Sequence, residues 1–259
     1  MTPTPTLLTP SQTKSITDDL VCPISLELPW DPVVAEDGRI YDRSSIEEHF
    51  QTHAGEYLKS PMTNEKMGQK LLSAVQHRNT IDVLVESGVI GGDLAAKWNE
   101  KLQQKKELAE LLKQAEAGDP VAMYDIGVCY GQGRGCKKDH EAALQWFQKA
   151  HQAGNVCGTA SIGLHYLEGQ VVPKCLKKGM MYITLAAGQG SDSGAYHLGL
   201  ALAEGKFGMV VDKEEAIYWL EKSVGECSYM HLSSDAVAAA EKKIKNLKAT
   251  TETAATDEE

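Results

Sequence analysis

Residues 118–154 read GDPVAMYDIGVCYGQGRGCKKDHEAALQWFQKAHQAG, and the register of their glycines returns twice downstream at an interval of 36 residues. Gly118, Gly154 and Gly190 form one series, Gly127, Gly163 and Gly199 a second, and Gly133, Gly169 and Gly205 a third. Three glycine series in one register define an internal repeat, the pattern of a stacked array in which each unit buries its apolar face against the next. Aromatic residues keep the same phase: Trp146 and Tyr182 are 36 apart, and Trp219 follows at 37, after one extra residue within 207–209.

Each unit reads as a helical hairpin. Its first helix starts near Val121 and sets Ile126, Gly127 and Tyr130 on one face, with Ile162, Gly163 and Tyr166, then Leu198, Gly199 and Leu202, as counterparts. A glycine inside a helix costs about 1 kcal/mol against alanine, so its return at one place predicts a second helix crossing there at close range. Gly133, Gly169 and Gly205 supply the left-handed residue that ends the first helix. Asp139 and Asp212 are expected to cap the second helix in the first and third units, while Lys174 and Cys175 stand there in the middle unit and predict a weaker start. Together Ile126, Gly127, Tyr130, GQGRG and EAALQWFQKAHQAG resemble the Sel1-like repeat, a helical-hairpin family related to tetratricopeptide repeats. A tetratricopeptide array proper has a period of about 34 residues, and the interval of 36 with glycine after the first helix favours the Sel1 type.

Around this array the chain divides by composition. Residues 1–16 are rich in Pro, Thr and Ser and are expected to be a disordered leader; 17–90 form a globular block. Gly91 and Gly92 interrupt it, and 91–118 carry Leu and Ala at helical spacing, which predicts a linker helix that also caps the array. The repeats then occupy 119–225, as 119–154, 155–190 and 191–225; a capping helix is expected over 226–248 and an acidic disordered tail over 249–259.

The block opens LVCPISLELPWDPVVAEDGRIYDRSSIEEHFQTHAGEYLKSPMTNEK from Leu20. Propensity reads it as a loop over 22–28, a hairpin of 32–34 with 39–41 about Asp37 and Gly38, a helix over 43–51 capped by Asp42, a second loop at 60–63, and a helix over 79–87. Cys22-Pro23-Ile24, Asp31-Pro32-Val33, Gly38, Tyr41, Arg43, Ile46, Pro61-x-Thr63 and Asn79 resemble the U-box, the ubiquitin-ligase module built like a RING without zinc. Counting ligands separates the two, because a pair of tetrahedral zinc sites needs about eight Cys or His side chains, whereas the block offers Cys22, His49, His53 and His77. Hydrogen bonds and ion pairs are expected to brace the loops instead, with Ser25, Glu27, Asp37, Arg43, Lys59, Ser60 and Thr63 as candidates. The expected fold is mainly α: a small α+β, zinc-free RING-like U-box followed by a short α-helical solenoid of Sel1-like repeats.

The resemblance implies an E3 ubiquitin-protein ligase that recruits a ubiquitin-charged conjugating enzyme and positions its thioester without a nucleophile of its own. It also implies that Ile24, Leu26, His49, Pro61 and Asn64 meet that enzyme, and that Cys22, Pro23, Asp31, Pro32, Gly38, Tyr41, Arg43, Ile46 and Thr63 carry the module. Many active U-boxes have arginine after the second-loop Pro-x-Thr, where this chain has Asn64; the alternative is therefore a non-catalytic scaffold built on a degenerate U-box. In the repeats, Tyr124, Asp125, Cys129, Ser161, His165, Tyr196 and His197 vary between units and are expected to face outward toward an unknown substrate or adaptor.

The remaining expectations are exclusions. A net charge of -10 disfavours nucleic acid and anionic membranes, which gain affinity from basic patches. No apolar run approaches the roughly 20 residues of a membrane span, and the first residues lack a secretory pattern. Cysteines at 22, 129, 136, 157, 175 and 227 include no CxxC pair and suit a reducing compartment, cytoplasmic or nuclear. No phosphate loop, dinucleotide fingerprint, triad or metal set is present, so no cofactor is expected. Partners are expected to be proteins, with a homodimer as an option.

Overall fold

The structure, a computed structural model, describes residues 9–53, 58–225 and 232–256. The chain divides into two compact units, Met1–Leu102 and Gln103–Glu259. The first contains α1 (Pro10–Leu20), β1 (Pro32–Val34), β2 (Ile40–Asp42), α2 (Arg43–Thr52), β3 (Leu72–Ser73), α3 (Val75–Glu86) and the start of α4 (Gly92–Glu116). The second continues with α5 (Pro120–Gln132), α6 (His140–Gln152), α7 (Val156–Glu168), α8 (Leu176–Gly188), α9 (Asp192–Glu204), α10 (Lys213–Val224) and α11 (Ser234–Thr256). The architecture is mainly helical with one small sheet, as the sequence predicts.

In the first unit β1 pairs antiparallel with β2, Val33 opposite Tyr41, and on its other edge with β3, Val33 opposite Ser73. Asp42 ends the hairpin and caps α2 by accepting a hydrogen bond from the Ser44 amide at 3.1 Å. Gly38, at φ 76°, makes the hairpin turn that a side chain would strain. One core lies under the sheet and α2, with Cys22, Val33, Tyr41, Ile46 and Phe50 buried. A second joins Leu20, Leu28, Ile81, Val85, Ile90 and Trp98.

Three boundaries differ from the sequence reading. Helix α1 begins inside the stretch expected to be disordered, because Ile16 and Leu20, one turn apart, have an apolar groove to fill in the second core; residues 1–8 lie outside the described chain. Helix α3 starts at Val75 rather than 79, with no side-chain cap at Ala74 to mark it in the sequence. At the other end, α11 runs to Thr256, past 249: once Ala240 and Leu247 are buried, adding residues to a formed helix is easier than starting one. Residues 226–231, including Cys227, lie outside the described chain.

The second unit is three helical hairpins, α5 with α6, α7 with α8 and α9 with α10, each followed by the next. Asp119, Asn155 and Ser191, again 36 apart, cap the three first helices through the amides of Val121, Gly158 and Gly194. Gly133, Gly169 and Gly205 end those helices in the left-handed conformation. Asp139 and Asp212 cap α6 and α10, while Cys175 makes no side-chain cap on α8.

The interior glycines are where the paired helices cross. A Cβ on Gly127 would stand 2.5 Å from the Phe147 ring, and one on Gly199 would stand 2.7 Å from Leu220. At Gly163 the obstruction is Ile183 at 2.9 Å and the Gly179 carbonyl oxygen at 3.0 Å, so part of what must move is backbone. Gly163→Ala should therefore destabilise the second unit by about 1–3 kcal/mol. Gly188→Ala, at a helical position with open space around it, should leave the unfolding midpoint unchanged or raised. Urea denaturation of the two variants followed by circular dichroism tests the pair.

Candidate functional site

Two loops of the first unit share one backbone design. In the first, the Cys22 amide donates to the Glu27 carbonyl at 2.8 Å and the Leu26 amide donates back to the Cys22 carbonyl at 2.9 Å. In the second, the Ser60 amide donates to the Glu65 carbonyl at 2.9 Å and the Asn64 amide donates to the Ser60 carbonyl at 3.0 Å. The residues that close these turns, Leu26 at φ 57° and Asn64 at φ 60°, are both left-handed. Asparagine enters that region several times more readily than most residues, which gives Asn64 a conformational reason to occupy its position. Leucine has no such reason, and its side chain is 72% exposed.

Each loop is tied down at its first residue. Cys22 is buried as a free thiol in the apolar core. Ser60, also buried, donates through Oγ to Asp37 Oδ2 at 2.6 Å and accepts from the amides of Met62 and Thr63 at 3.1 and 3.0 Å. Tyr41 donates its hydroxyl to the same Asp37 oxygen at 2.7 Å, and the Arg39 amide donates to Oδ1 at 3.1 Å. Burial works against the Asp37 charge, but the Ser60, Tyr41 and Arg39 hydrogen bonds outweigh it and hold the carboxyl below its ordinary range. The Tyr41 hydroxyl is pushed well above its ordinary value, by burial first and by Asp37 next.

The ends of the hairpin are fixed by a second set of contacts. Arg43 Nε meets Asp31 Oδ2 at 2.6 Å, and the Arg43 amide donates to the Asp31 carbonyl at 2.9 Å. Asp42 Oδ2 accepts from the Trp30 amide at 2.7 Å, so the capping residue of α2 also holds the end of the first loop. His49, on α2, reaches the second loop through Nε2 and the Lys59 carbonyl oxygen at 3.0 Å, and its ring stacks on His53 at 4.3 Å. Thr63 accepts from the Glu65 amide at 3.4 Å.

The expected contact residues lie on the two loops and α2, with His49 linking α2 to the second loop. Ile24, His49 and Pro61 are half-buried, Ile24 lying against the Cys22 core, while Leu26 and Asn64 are exposed. Met62, placed in the second loop by the sequence but not among the expected contact residues, is 48% exposed between Pro61 and Thr63. Among the bracing candidates, Asp37, Arg43, Ser60 and Thr63 act within the hairpin and loops. Glu27 instead faces α4, a pairing that no local spacing could reveal because its partners lie 70 and 74 residues away.

In the repeats, Asp125, Ser161 and His197 occupy equivalent places on α5, α7 and α9, with Tyr124 and Tyr196 beside the first and last. All five are half-buried. The Tyr124 hydroxyl is pushed up to about 12, chiefly by burial; burial also raises the Asp125 carboxyl and lowers His197. Cys129 corrects the sequence reading: it is 1% exposed and packs with Leu108, Ala122 and Ile126, because its place in α5 faces the preceding helix. His165, its counterpart in the next unit, is half-buried with Nδ1 unpartnered among the described residues and its ring near Phe147.

Comparison with known families agrees with this geometry. The U-box domain model matches residues 16–87, and the Sel1 repeat model matches 120–155, 160–191 and 192–224. The chain is a RING-like module joined to helical repeats. More particularly, it carries a U-box domain followed by three Sel1 repeats. It is 37% identical to U-box domain-containing protein 19 of Arabidopsis thaliana over 116 residues, which are 42% of this chain and 15% of that protein. It is 36% identical to the ERAD-associated E3 ubiquitin-protein ligase component HRD3B of the same plant over 105 residues, 40% of this chain and 16% of that protein. The matched stretches therefore span about a sixth of those relatives. Among solved structures, a Sel1 repeat protein from Oxalobacter formigenes is 24% identical, with a TM-score of 0.43, covering 54% of this chain and 98% of that one. No helix among the described residues is long and apolar enough to cross a membrane.

The Asp37 network sets a pH dependence. Its depressed carboxyl contributes stability that is fully present above the ordinary aspartate value of about 3.9 and is lost as pH falls through the folded value. Asp37→Asn should destabilise the first unit by about 1–3 kcal/mol at neutral pH, and the gap from wild type should close below about pH 4. Urea midpoints at the two pH values measure both effects.

Proposed function

We propose that the chain is an E3 ubiquitin-protein ligase, in which the two matching loops and α2 receive a ubiquitin-charged conjugating enzyme and the repeats hold the protein to be modified or an adaptor for it. The observation that carries this reading is the apolar, outward-facing set on two rigidly closed loops: Leu26 and Met62 exposed, Ile24 and Pro61 half-buried behind them. Exposed apolar residues concentrated on braced loops mark a contact surface. The names of the relatives, a U-box protein and a ligase component, fit the same reading.

The chemistry asked of the protein is modest. The reacting thioester belongs to the conjugating enzyme, and transfer to a substrate lysine speeds up when the donor is confined to a productive geometry. Ile24, Leu26 and Pro61 would supply the apolar contact and His49 the edge of it. Asn64, with an amide in place of a guanidinium, would offer the bound ubiquitin hydrogen bonds without charge. On the repeats, the row of Tyr124, Asp125, Ser161, Tyr196 and His197 is the recognition face we favour, set on six packed helices that fix their spacing. The five described cysteines are free thiols, consistent with a cytoplasmic or nuclear setting.

Single-turnover discharge of ubiquitin from a panel of conjugating enzymes tests the proposal. The wild-type chain should accelerate discharge, Ile24→Ala should lose roughly tenfold or more of that acceleration, and Asn64→Arg should raise it. Absence of acceleration with every conjugating enzyme would leave a scaffold, not a ligase.

A further inference from the structure

The first loop is held from outside the U-box match as well as from within it. It leaves the core at Cys22 and returns at Leu28, both buried, and between them Glu27 turns toward α4. Lys97 Nζ lies 2.7 Å from Glu27 Oε1 and Lys101 Nζ lies 3.1 Å from Oε2, so each carboxylate oxygen has its own ammonium. The two lysines are four residues apart and share a helix face with Leu94 and Trp98. The match to the U-box model ends at 87, and α4 starts at Gly92.

Helix α4 is not a loose strap at this point. Trp98 is 1% exposed, its indole Nε1 donates to Asp82 Oδ1 on α3 at 2.9 Å, and its ring meets that of Trp30 edge-on at 5.1 Å. The Arg78 guanidinium lies 3.8 Å from the Trp30 ring centre and donates to the Trp30 carbonyl. The lysines are therefore delivered by an anchored backbone, which lowers the entropy lost when they pair. Hydrogen bonds from Lys97 and then Lys101 hold the Glu27 carboxyl below its ordinary range, so it is charged at neutral pH.

We propose that Glu27 is a positioning residue for recruitment of the conjugating enzyme, and that α4, through Lys97 and Lys101, fixes the conformation in which the first loop presents Leu26 and Ile24. This rests on the ligase reading above. Glu27 adjoins Leu26, and its own carbonyl accepts the Cys22 amide that closes the loop. The left-handed conformation of Leu26 opposes the local preference of leucine and has to be imposed by its neighbours. Both ion pairs are partly exposed, so releasing them should change loop order and affinity by roughly two- to tenfold without unfolding the unit.

The test uses the full chain as wild type, Glu27→Gln, the double variant Lys97→Ala with Lys101→Ala, and the triple charge swap Glu27→Lys with Lys97→Glu and Lys101→Glu. Two quantities are read: hydrogen exchange at the Cys22 and Leu26 amides, and the dependence of discharge rate on charged-enzyme concentration. The expected result is exchange faster by roughly two- to tenfold in Glu27→Gln and in the double variant. The apparent KM should rise by a similar factor at an unchanged maximal rate, and the charge swap should restore both. Unchanged exchange and KM in a panel whose wild type discharges would overturn the positioning role alone. A fall in maximal rate at constant KM would overturn it too, since that reports damage to the module and not loop presentation. If no protein discharges, wild type included, the ligase reading fails and the recruitment role fails with it, whatever the exchange measurement shows.

Discussion

The Asp37 carboxylate, at the tip of the hairpin, is the contact on which the U-box side of this protein turns. One of its oxygens takes hydrogen bonds from Tyr41 and Ser60, joining the sheet to the second loop across 23 residues of sequence. Ser60 then spends its lone pairs on the amides of Met62 and Thr63, which shape the loop itself. A carboxylate drawn partly out of water is costly unless its oxygens are satisfied, and here the groups that satisfy it are those that must be ordered for Pro61 and Asn64 to stand where they do. Loop order and charge burial are thus a single condition.

The first loop meets the same geometric requirement by other means. Its backbone closes with the same pair of hydrogen bonds, yet its first residue is a buried thiol in an apolar core, and it has no counterpart of Asp37 among the described residues. Its outer end is held by Arg43 with Asp31 and by Asp42 with the Trp30 amide, and its middle by the two lysines of α4. The two halves of the candidate surface therefore differ in what disturbs them. The second loop depends on a partly buried network, whereas the first depends on exposed charge pairs that salt screens more readily.

In the repeats the governing constraint is the distance between helices. Gly127, Gly163 and Gly199 leave no room for a Cβ, so the two helices of each hairpin approach closely and bury Ile126, Ile162 and Leu198 between themselves and their neighbours. That rigidity is what allows half-buried positions such as Asp125, Ser161 and His197 to keep a fixed spacing along three successive first helices. It also explains Cys129, which the variation between units marked as a surface residue and which is core: a position can vary in identity and remain buried, since Cys and His each fill the space differently.

The local chemistry of the sequence determined the repeat length, the glycine ends of the first repeat helices, the aspartate starts of α6 and α10 and the two-module organisation, because glycine at positive φ and aspartate at an N-cap act within a few residues of themselves. The caps Asp139 and Asp212 were legible in the same way, whereas the series Asp119, Asn155 and Ser191 emerged only with the structure. The hairpin and α2 could be placed because Asp37-Gly38 and Asp42 signal a turn and a cap. Short β3 was not, since both its residues are exposed and two residues carry no alternation. Only the tertiary structure decided that α1 and the end of α11 are helical, that Cys129 faces inward, and that Glu27 belongs to α4. Each of these depends on an apolar surface or a charge supplied by residues distant in the chain, and no spacing within a local window contains that information.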